Sequence, residues 1–590
     1  MIDITIDRKP FSVQEGTTVL EACKQAGINI PTLCYLEKIQ AIGACRVCLV
    51  EIEGVKDLVA SCVMPVSDEM KIHTNNRRVR EARKVVAELL LSEHEGECQV
   101  CDRNEDCELQ NISHDLGITK LRYEGAKAPR FQDHSTAGLV RDSAKCVACR
   151  RCVTVCTETQ SVSALFPQNR GFKTTIGPAF GKNLDTVTCV QCGQCAAVCP
   201  VGAISERDQT DEVWAALDDP AKTVVVQTAP AIRAALGECF GMEPGTLVTG
   251  KMTTALRRMG FDAIFDTNFS ADLTIMEEGT ELLTRLKKAL VDGEEVALPM
   301  FTSCSPGWIQ FMEFYYPDML ANLSTCKSPQ QMMGAMVKTY YAQKLDKKPE
   351  DMFMVSVMPC TAKKFEAARP EMNDSGAQDV DVVLTTRELG KMITQAGIDF
   401  EALEDSEMDA PLGLGSGAAD IFANSGGVME AALRTAYELV TGRELPFDNL
   451  HVTPVVGLDG IKEASITIEG TVPEWSFLEG VTARIAVAHS LANARKLVDK
   501  IRAGEAEYHF IEVMTCPGGC IGGGGQPRIT TDEVRKKRIA AIYAEDEGKV
   551  LRKSHENEAV AKLYEEFLGA PLGHKSHELL HTKYFEKERI

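Results

Sequence analysis

The chain has 590 residues, a formal charge of −21, 44% hydrophobic residues and 25% charged residues. This composition supports sizeable cores, excludes a largely disordered or collagen-like chain, and at this length implies about three to five domains. The acidic balance disfavours nucleic acid and anionic membrane as partners and favours redox or protein partners. The opening Met1-Ile-Asp-Ile-Thr-Ile-Asp alternates like a strand and lacks the basic and apolar regions of a secretory signal, and no window reaches 18 apolar residues. A cytoplasmic protein with no membrane span is expected. The 22 cysteines are too many for disulfides in a reducing cytosol, and most fall in short-spaced clusters that favour metal.

In chain order, residues 1–78 combine the opening strand, a helical stretch from Thr18 ended by Gly27, and a loop with Cys34, Cys45, Cys48 and Cys62 in the order C-x10-C-x2-C-x13-C. A close pair on a turn lets two thiolates hold one iron while the flanking cysteines close the other. The spacing resembles the [2Fe–2S] domain of plant-type ferredoxins, with a four-Cys zinc site as the competing reading. Cys23, on the helical pattern, reads as a buried small hydrophobe. Residues 79–126 begin with helical periodicity that delivers His94, which forms H-x3-C-x2-C-x5-C with Cys98, Cys101 and Cys107. Three thiolates and an imidazole can complete a [4Fe–4S] cube; the alternative is a Cys3His zinc site.

Residues 138–210 hold two copies of C-x2-C-x2-C-x3-C, namely Cys146, Cys149, Cys152 and Cys156, then Cys189, Cys192, Cys195 and Cys199, with Pro200 following. In two-cluster ferredoxins the fourth Cys crosses over. Cys146, Cys149, Cys152 and Cys199 are therefore assigned to one [4Fe–4S] cluster, and Cys189, Cys192, Cys195 and Cys156 to the other. Residues 221–590 alternate apolar strand-like runs with helical patterns, as an α/β domain does.

Four clusters in a row make an electron wire, and a wire needs a terminus. Cys304 lies in Phe301-Thr-Ser-Cys-Ser-Pro-Gly-Trp308, Cys360 in Met358-Pro-Cys-Thr-Ala-Lys-Lys-Phe-Glu366, and Cys516 and Cys520 in Phe510-Ile-Glu-Val-Met-Thr-Cys-Pro-Gly-Gly-Cys-Ile-Gly-Gly-Gly-Gly-Gln-Pro527. These segments resemble the three signatures of [FeFe]-hydrogenases, and with the upstream clusters the resemblance covers essentially the whole chain. It implies a multidomain α+β and α/β fold, with ferredoxin-like iron–sulfur domains followed by a two-lobed α/β H-cluster domain. The implied H-cluster is a [4Fe–4S] cube joined through Cys520 to a diiron unit carrying CO, cyanide and a dithiolate bridge.

By the same resemblance Lys363 donates to a cyanide, Met358 and Met514 line the diiron pocket, and Pro230 and Ala231 approach the other cyanide, Ala231 through its backbone. A proton route is implied from the surface through Arg285, Glu278, Ser324 and Glu281 to the thiol of Cys304. On residue pattern alone, Glu278 and Glu281 read as a solvated helix face. The chain departs from the usual Thr-Ser-Cys-Cys-Pro segment at Ser305. A hydroxyl is a poor substitute for a thiolate, so another sulfur is expected on the cube: either Cys304 turns onto it, which removes the relay thiol, or Cys326 supplies it, the competing reading of Cys326 being a buried inert thiol. The expected set is Cys326, Cys360, Cys516 and Cys520, with Cys304 free as relay.

The resemblance implies reversible hydrogen oxidation and proton reduction, with electrons passing through the N-terminal clusters to ferredoxin or to flavin- and NAD(P)-binding subunits. The His94 and [2Fe–2S] layout also resembles the iron–sulfur subunit of respiratory complex I, which favours an NAD(P)-linked or electron-bifurcating complex over a ferredoxin-linked monomer. The competing class is a non-catalytic hydrogen sensor or iron–sulfur scaffold, which has no need to keep Cys304, Lys363, Met358 and the Glu278/Glu281 pair together. His577-Glu-Leu-Leu-His581 matches a zinc-protease pattern, but too little chain follows it, and a C-terminal docking helix is expected instead. Gly245-Thr-Leu-Val-Thr-Gly-Lys251 resembles a phosphate loop but has Met252 where a hydroxyl is required, and Gly413-Leu-Gly-Ser-Gly-Ala418 follows no strand and reads as a loop.

Overall fold

The computed structural model describes residues 1–125, 127, 129–528 and 530–589, so residue 126, the expected end of the second domain, lies outside the described residues. At the N-terminus, the strands Ile2–Ile6, Lys9–Val13, Leu49–Ile52, Val59–Ala60 and Lys71–His73 form one five-stranded sheet. Its alternating residues Ile4, Ile6, Val50, Ile52 and Ile72 pack with Val19, Ala22 and Cys23 of the helix Val19–Gln25. Thr18 and Glu21 cap that helix reciprocally. The helix Arg77–Glu93 follows and ends at His94.

The repeated cysteine runs lie beside a three-stranded sheet in which Leu139–Asp142 is flanked by Ile204–Glu206 and Gln132–Asp133. Both runs use one backbone device. Ala148 and Arg150 in the first, and Gln191 and Gly193 in the second, all have positive φ, coiling each C-x2-C-x2-C tightly enough for its thiols to converge.

The rest of the chain forms two lobes. In one, Ala263–Asp266, Thr223–Thr228, Met352–Met358 and Val382–Thr385 lie side by side in that order, all parallel. Their near-continuous apolar runs are buried, as expected for a parallel sheet covered on both faces. In the other, Met300–Phe301, Phe510–Met514 and Thr482–His489 are parallel and Ile461–Thr467 closes the edge antiparallel. Period-two alternation divides this sheet. Ala486, Ala488, Ile511 and Val513 pack with Trp308 and Phe311 on one face. Ile485, Val487, Phe510 and Met514 pack with Val428 and Met429 on the other.

The chain leaves the carboxyl ends of these strands at Thr228, Met358, Phe301 and Met514, so the segments that follow from both lobes meet in one crevice, the usual place for a ligand in parallel sheets. The last helix, His574–Leu580, buries Leu579 and Leu580 in the core of the first lobe. Among the described residues no helix is long and apolar enough to cross a membrane.

Candidate active site

The N-terminal thiols converge as their spacing predicts. Cys48 Sγ lies 3.5 Å from Cys62 Sγ. The backbone N–H of Cys45 donates to Cys34 Sγ at 3.5 Å, and the Cys34 thiol also adjoins those of Cys45 and Cys62. Cys23 lies apart in the core, its thiol pushed up to about 12 by burial. Next along the chain, the Cys101 charge is felt at Cys107. His94 is buried and its Nδ1 has no hydrogen-bond partner. Burial lowers its pKa, holding the ring in the neutral form that a metal requires. An orphaned, neutral imidazole nitrogen, four residues before Cys98 in the chain, fits an iron–sulfur ligand.

Two small cavities lie further along. Cys146, Cys149, Cys152 and Cys199 line one, and Cys156, Cys189, Cys192 and Cys195 line the other. Each cavity therefore takes one cysteine from the other run. Backbone N–H groups point at the sulfurs, from Ala148 to Cys146 Sγ at 3.4 Å and from Ala164 to Cys156 Sγ at 3.3 Å.

The crevice between the lobes spans about 750 Å³, part of it open to solvent. Ala229 and Pro230, Cys304 and Ser305, Met358 and Cys360, Met514, Cys516 and Cys520 line it, with Lys363 at one side. Ala231 does not line it; it packs with Ile421, Ala423 and Ile521, so the expected contact through this residue is limited to the backbone beside Pro230. Lys363 Nζ donates to Cys304 O at 3.0 Å and to Glu366 Oε2 at 2.9 Å, which fixes a cation at the wall of an otherwise apolar crevice. Ser305 Oγ lies 2.8 Å from Thr515 Oγ1 and accepts from Thr515 N at 3.3 Å, beside Cys516. Burial raises the pKa of Cys360, Cys516 and Cys520, that of Cys520 to about 12, so these thiols ionise only with a metal to take the charge.

Two glycines set how closely the second cysteine run approaches the crevice. A Cβ on Gly523 would fall 2.1 Å from Pro359 O, and one on Gly524 would fall 2.5 Å from Cys192 O. Only glycine lets the crevice wall lie directly against the second cysteine run. Gln194 Nε2 donates to Gly522 O at 2.9 Å and Thr361 Oγ1 to Gln191 O at 2.7 Å, fixing that contact.

A chain of polar groups runs from the crevice towards the surface. Arg285 Nη2 donates to Glu281 Oε1 at 2.6 Å and Ser324 Oγ to Glu281 Oε2 at 2.8 Å. Glu278 lies beyond Ser324. Burial first, and then the Glu281 charge, raise its pKa to about 8, partly offset by the nearby Ser324 and Ser303, and its Oε1 has no hydrogen-bond partner. The Glu278 charge is in turn felt at Cys304. Glu278 and Glu281 are 2% and 8% exposed, so the solvated-helix reading does not hold. The expected order is also corrected. Arg285 reaches Glu281, one helical turn away, while Glu278 lies a further turn towards Thr267, which lines the crevice, so Glu281 is the outer carboxylate and Glu278 the inner.

Residues 222–524 match the family described as iron only hydrogenase large subunit, C-terminal domain, and residues 532–587 match iron hydrogenase small subunit. The chain belongs to the [FeFe]-hydrogenases. Upstream, residues 1–77 match a 2Fe-2S iron-sulfur cluster binding domain, 83–122 the NADH-ubiquinone oxidoreductase-G iron-sulfur binding region, and 145–203 a 4Fe-4S dicluster domain. The chain is 52% identical to the NADP-reducing hydrogenase subunit HndD of Solidesulfovibrio fructosivorans, over 100% of both chains. It is 42% identical to iron hydrogenase 1 of Clostridium pasteurianum, over 99% of this chain and 100% of that one. Among solved structures, an apo [FeFe]-hydrogenase HydA1 variant from Chlamydomonas reinhardtii aligns with a TM-score of 0.58 and 48% identity, covering 64% of this chain and 99% of that one.

For this hydrogenase, the expectation that Cys326 completes the cube is not met by the geometry. Cys326 is absent from the crevice shared by Cys360, Cys516 and Cys520, and lines a separate small cavity with Ser303, Thr582 and Tyr584. The cause is backbone pinning. Lys327 N donates to Leu580 O and Thr582 N to Thr325 O, each at 2.8 Å, tying this segment to the C-terminus. Cys326 Sγ is left 3.8 Å from Glu281 Oε2. Reading along the sequence also missed Glu366, although it ends the same signature as Lys363, and missed His581 and Glu277, which no local pattern could have joined.

Proposed function

We propose that this hydrogenase exchanges electrons between hydrogen and a flavin- and NAD(P)-binding partner in the cytoplasm, through one [2Fe–2S] and three [4Fe–4S] clusters. The proposed units are 1–78 for the [2Fe–2S] domain, 79–126 for the His94 cluster, 138–210 for the two-cluster segment and 221–590 for the H-cluster domain. Proposed ligands are Cys34, Cys45, Cys48 and Cys62; His94, Cys98, Cys101 and Cys107; Cys146, Cys149, Cys152 and Cys199; and Cys156, Cys189, Cys192 and Cys195. Cys360, Cys516 and Cys520 hold the active-site cube. Ser305, held beside Cys516 through Thr515, takes its fourth corner in place of Cys326.

When bound, the diiron unit supplies the open metal site at which hydrogen is split or formed. Around it, Met358 and Met514 exclude water, Lys363 presents a fixed positive charge, and the Pro230 segment closes one side. In the oxidative direction a proton passes from the Cys304 thiol to Glu278, through the Ser324 hydroxyl to Glu281, and out beside Arg285; reduction reverses it.

The observation that carries the electron route is the direct seating of the Cys189–Cys195 cavity on the crevice wall at Gly524, which leaves little insulating protein between donor and acceptor. The full-length 52% identity to a protein named as a subunit of an NADP-reducing hydrogenase supports the partner class. The test is hydrogen uptake by enzyme matured with its diiron cofactor, offered NAD, NADP or ferredoxin, with and without flavoprotein subunits. NAD(P) reduction should require the flavoprotein. Full turnover with ferredoxin alone, and none with the flavoprotein and NAD(P), would overturn the assignment.

A further inference from the structure

Beside the relay, Glu281, Cys326 and His581 come together from three distant parts of the chain. Their ligand atoms all lie within 4.8 Å of one another and all three residues are buried. We propose that Glu281, Cys326 and His581 form a site for a single thiophilic divalent cation of the zinc class, and that occupation of this site closes the proton relay. The closing clause rests on the proton route proposed above; the site itself does not.

The distances suit such an ion. Zinc bonds of about 2.3 Å to sulfur and about 2.1 Å to oxygen in a tetrahedron set a sulfur-to-oxygen edge of roughly 3.6 Å. Cys326 Sγ and Glu281 Oε2 are already 3.8 Å apart. The donor set of one thiolate, one imidazole and one carboxylate selects zinc over magnesium or calcium, which prefer oxygen alone. Charge also balances, because Glu281, the Cys326 thiolate and the Glu277 carboxylate beside His581 together offset the divalent ion and Arg285, avoiding the cost of an unpaired charge in a buried place. Binding releases the Cys326 thiol proton.

The surroundings hold the ligands in place. Cys326 and His581 face each other across an antiparallel β-bridge, and Glu281 lies on the long helix Thr267–Lys287. His581 Nε2 is 3.2 Å from Glu277 Oε2, and Tyr564, Ser576 and the Leu572 N–H hold that carboxylate in turn. This is the carboxylate–histidine pairing that orients a metal-binding imidazole. The other nitrogen, Nδ1, lies 2.8 Å from Thr325 Oγ1 and becomes available once that hydroxyl turns away. Arg285 holds Glu281 Oε1, so the ion takes Oε2, the oxygen to which Ser324 donates. The hydroxyl that links the two relay carboxylates is thereby displaced.

The test uses the complete, cluster-loaded enzyme, freed of loose metal and titrated with zinc under anaerobic conditions. Zinc X-ray absorption should show one ion per chain with a single sulfur neighbour and nitrogen or oxygen otherwise. Proton reduction should fall about tenfold or more and return on chelation. Cys326→Ser and His581→Gln should each remove the single-sulfur signature and the inhibition, measured against each variant's own zinc-free rate. Zinc bound by four sulfurs, no stoichiometric binding, or full inhibition of Cys326→Ser would overturn the site. Single-sulfur binding without loss of turnover would overturn only the closing clause. Glu281→Gln, assayed without zinc, decides the relay reading separately.

Discussion

Replacing Glu278 with Gln tests the relay at its inner carboxyl. The side chain is 2% exposed, and burial together with the neighbouring Glu281 lifts its pKa from 4.5 to about 8. At 1.36 kcal/mol per pH unit this is roughly 5 kcal/mol of preference for the protonated form. Between pH 4.5 and about 8 the folded protein keeps a proton that the unfolded chain has lost, so this group's contribution to stability falls as pH rises through that window and is level above it. Gln keeps the shape, cannot ionise and removes the dependence. Glu278→Gln should therefore gain thermal stability relative to the parent at pH 9 compared with pH 5. Its turnover should fall about 10²- to 10⁴-fold in both directions, with the infrared bands of the assembled diiron site in place. Proton reduction by the parent, which needs the protonated acid, should hold below pH 8 and decline roughly tenfold per unit above it. Near-parental turnover with an unchanged pH profile in the variant would refute the reasoning.

Iron analysis of fully loaded protein should give about 20 Fe per chain, from one [2Fe–2S], three [4Fe–4S] and a six-iron H-cluster; iron near 14 with stoichiometric zinc would replace two of the assignments. His94→Ala should perturb one cluster's paramagnetic spectrum and slow electron transfer from external donors, while hydrogen–deuterium exchange at the active site persists; loss of exchange as well would make His94 structural. Cys304→Ala and Cys326→Ala should both spare the active-site cube, read by iron content and electron paramagnetic resonance, with Cys304→Ala alone suppressing turnover by about 10²-fold or more. Ser305→Cys should slow loss of cube iron to a chelator about tenfold or more; if Cys304→Ala loses the cube and Ser305→Cys changes nothing, Cys304 is the fourth ligand.

What the sequence determined by itself is local chemistry. In C-x2-C-x2-C the thiols are brought together by the turns of a few residues, here with Ala148, Arg150, Gln191 and Gly193 at positive φ, so spacing alone suffices to read a cluster. The α/β class of this region was legible for a related reason, because buried runs such as Thr223–Thr228 and Met352–Met358 have no solvent face to vary, whereas its two lobes were implied only by the family resemblance. The inner and outer positions of Glu278 and Glu281, the place of Cys326 and the Glu277–His581 pair were decided only by tertiary structure. Helix periodicity puts Glu278 and Glu281 on neighbouring turns but does not say which turn meets the crevice. That depends on the docking of the helix Thr267–Lys287 between the lobes. Cys326 sits in a loop whose sequence offered it to the cube, yet two backbone hydrogen bonds to residues 580 and 582, more than 250 positions away, hold it beside Glu281 instead. Contacts that close such long loops leave no periodicity in the chain, so they become visible only once the core has folded around them.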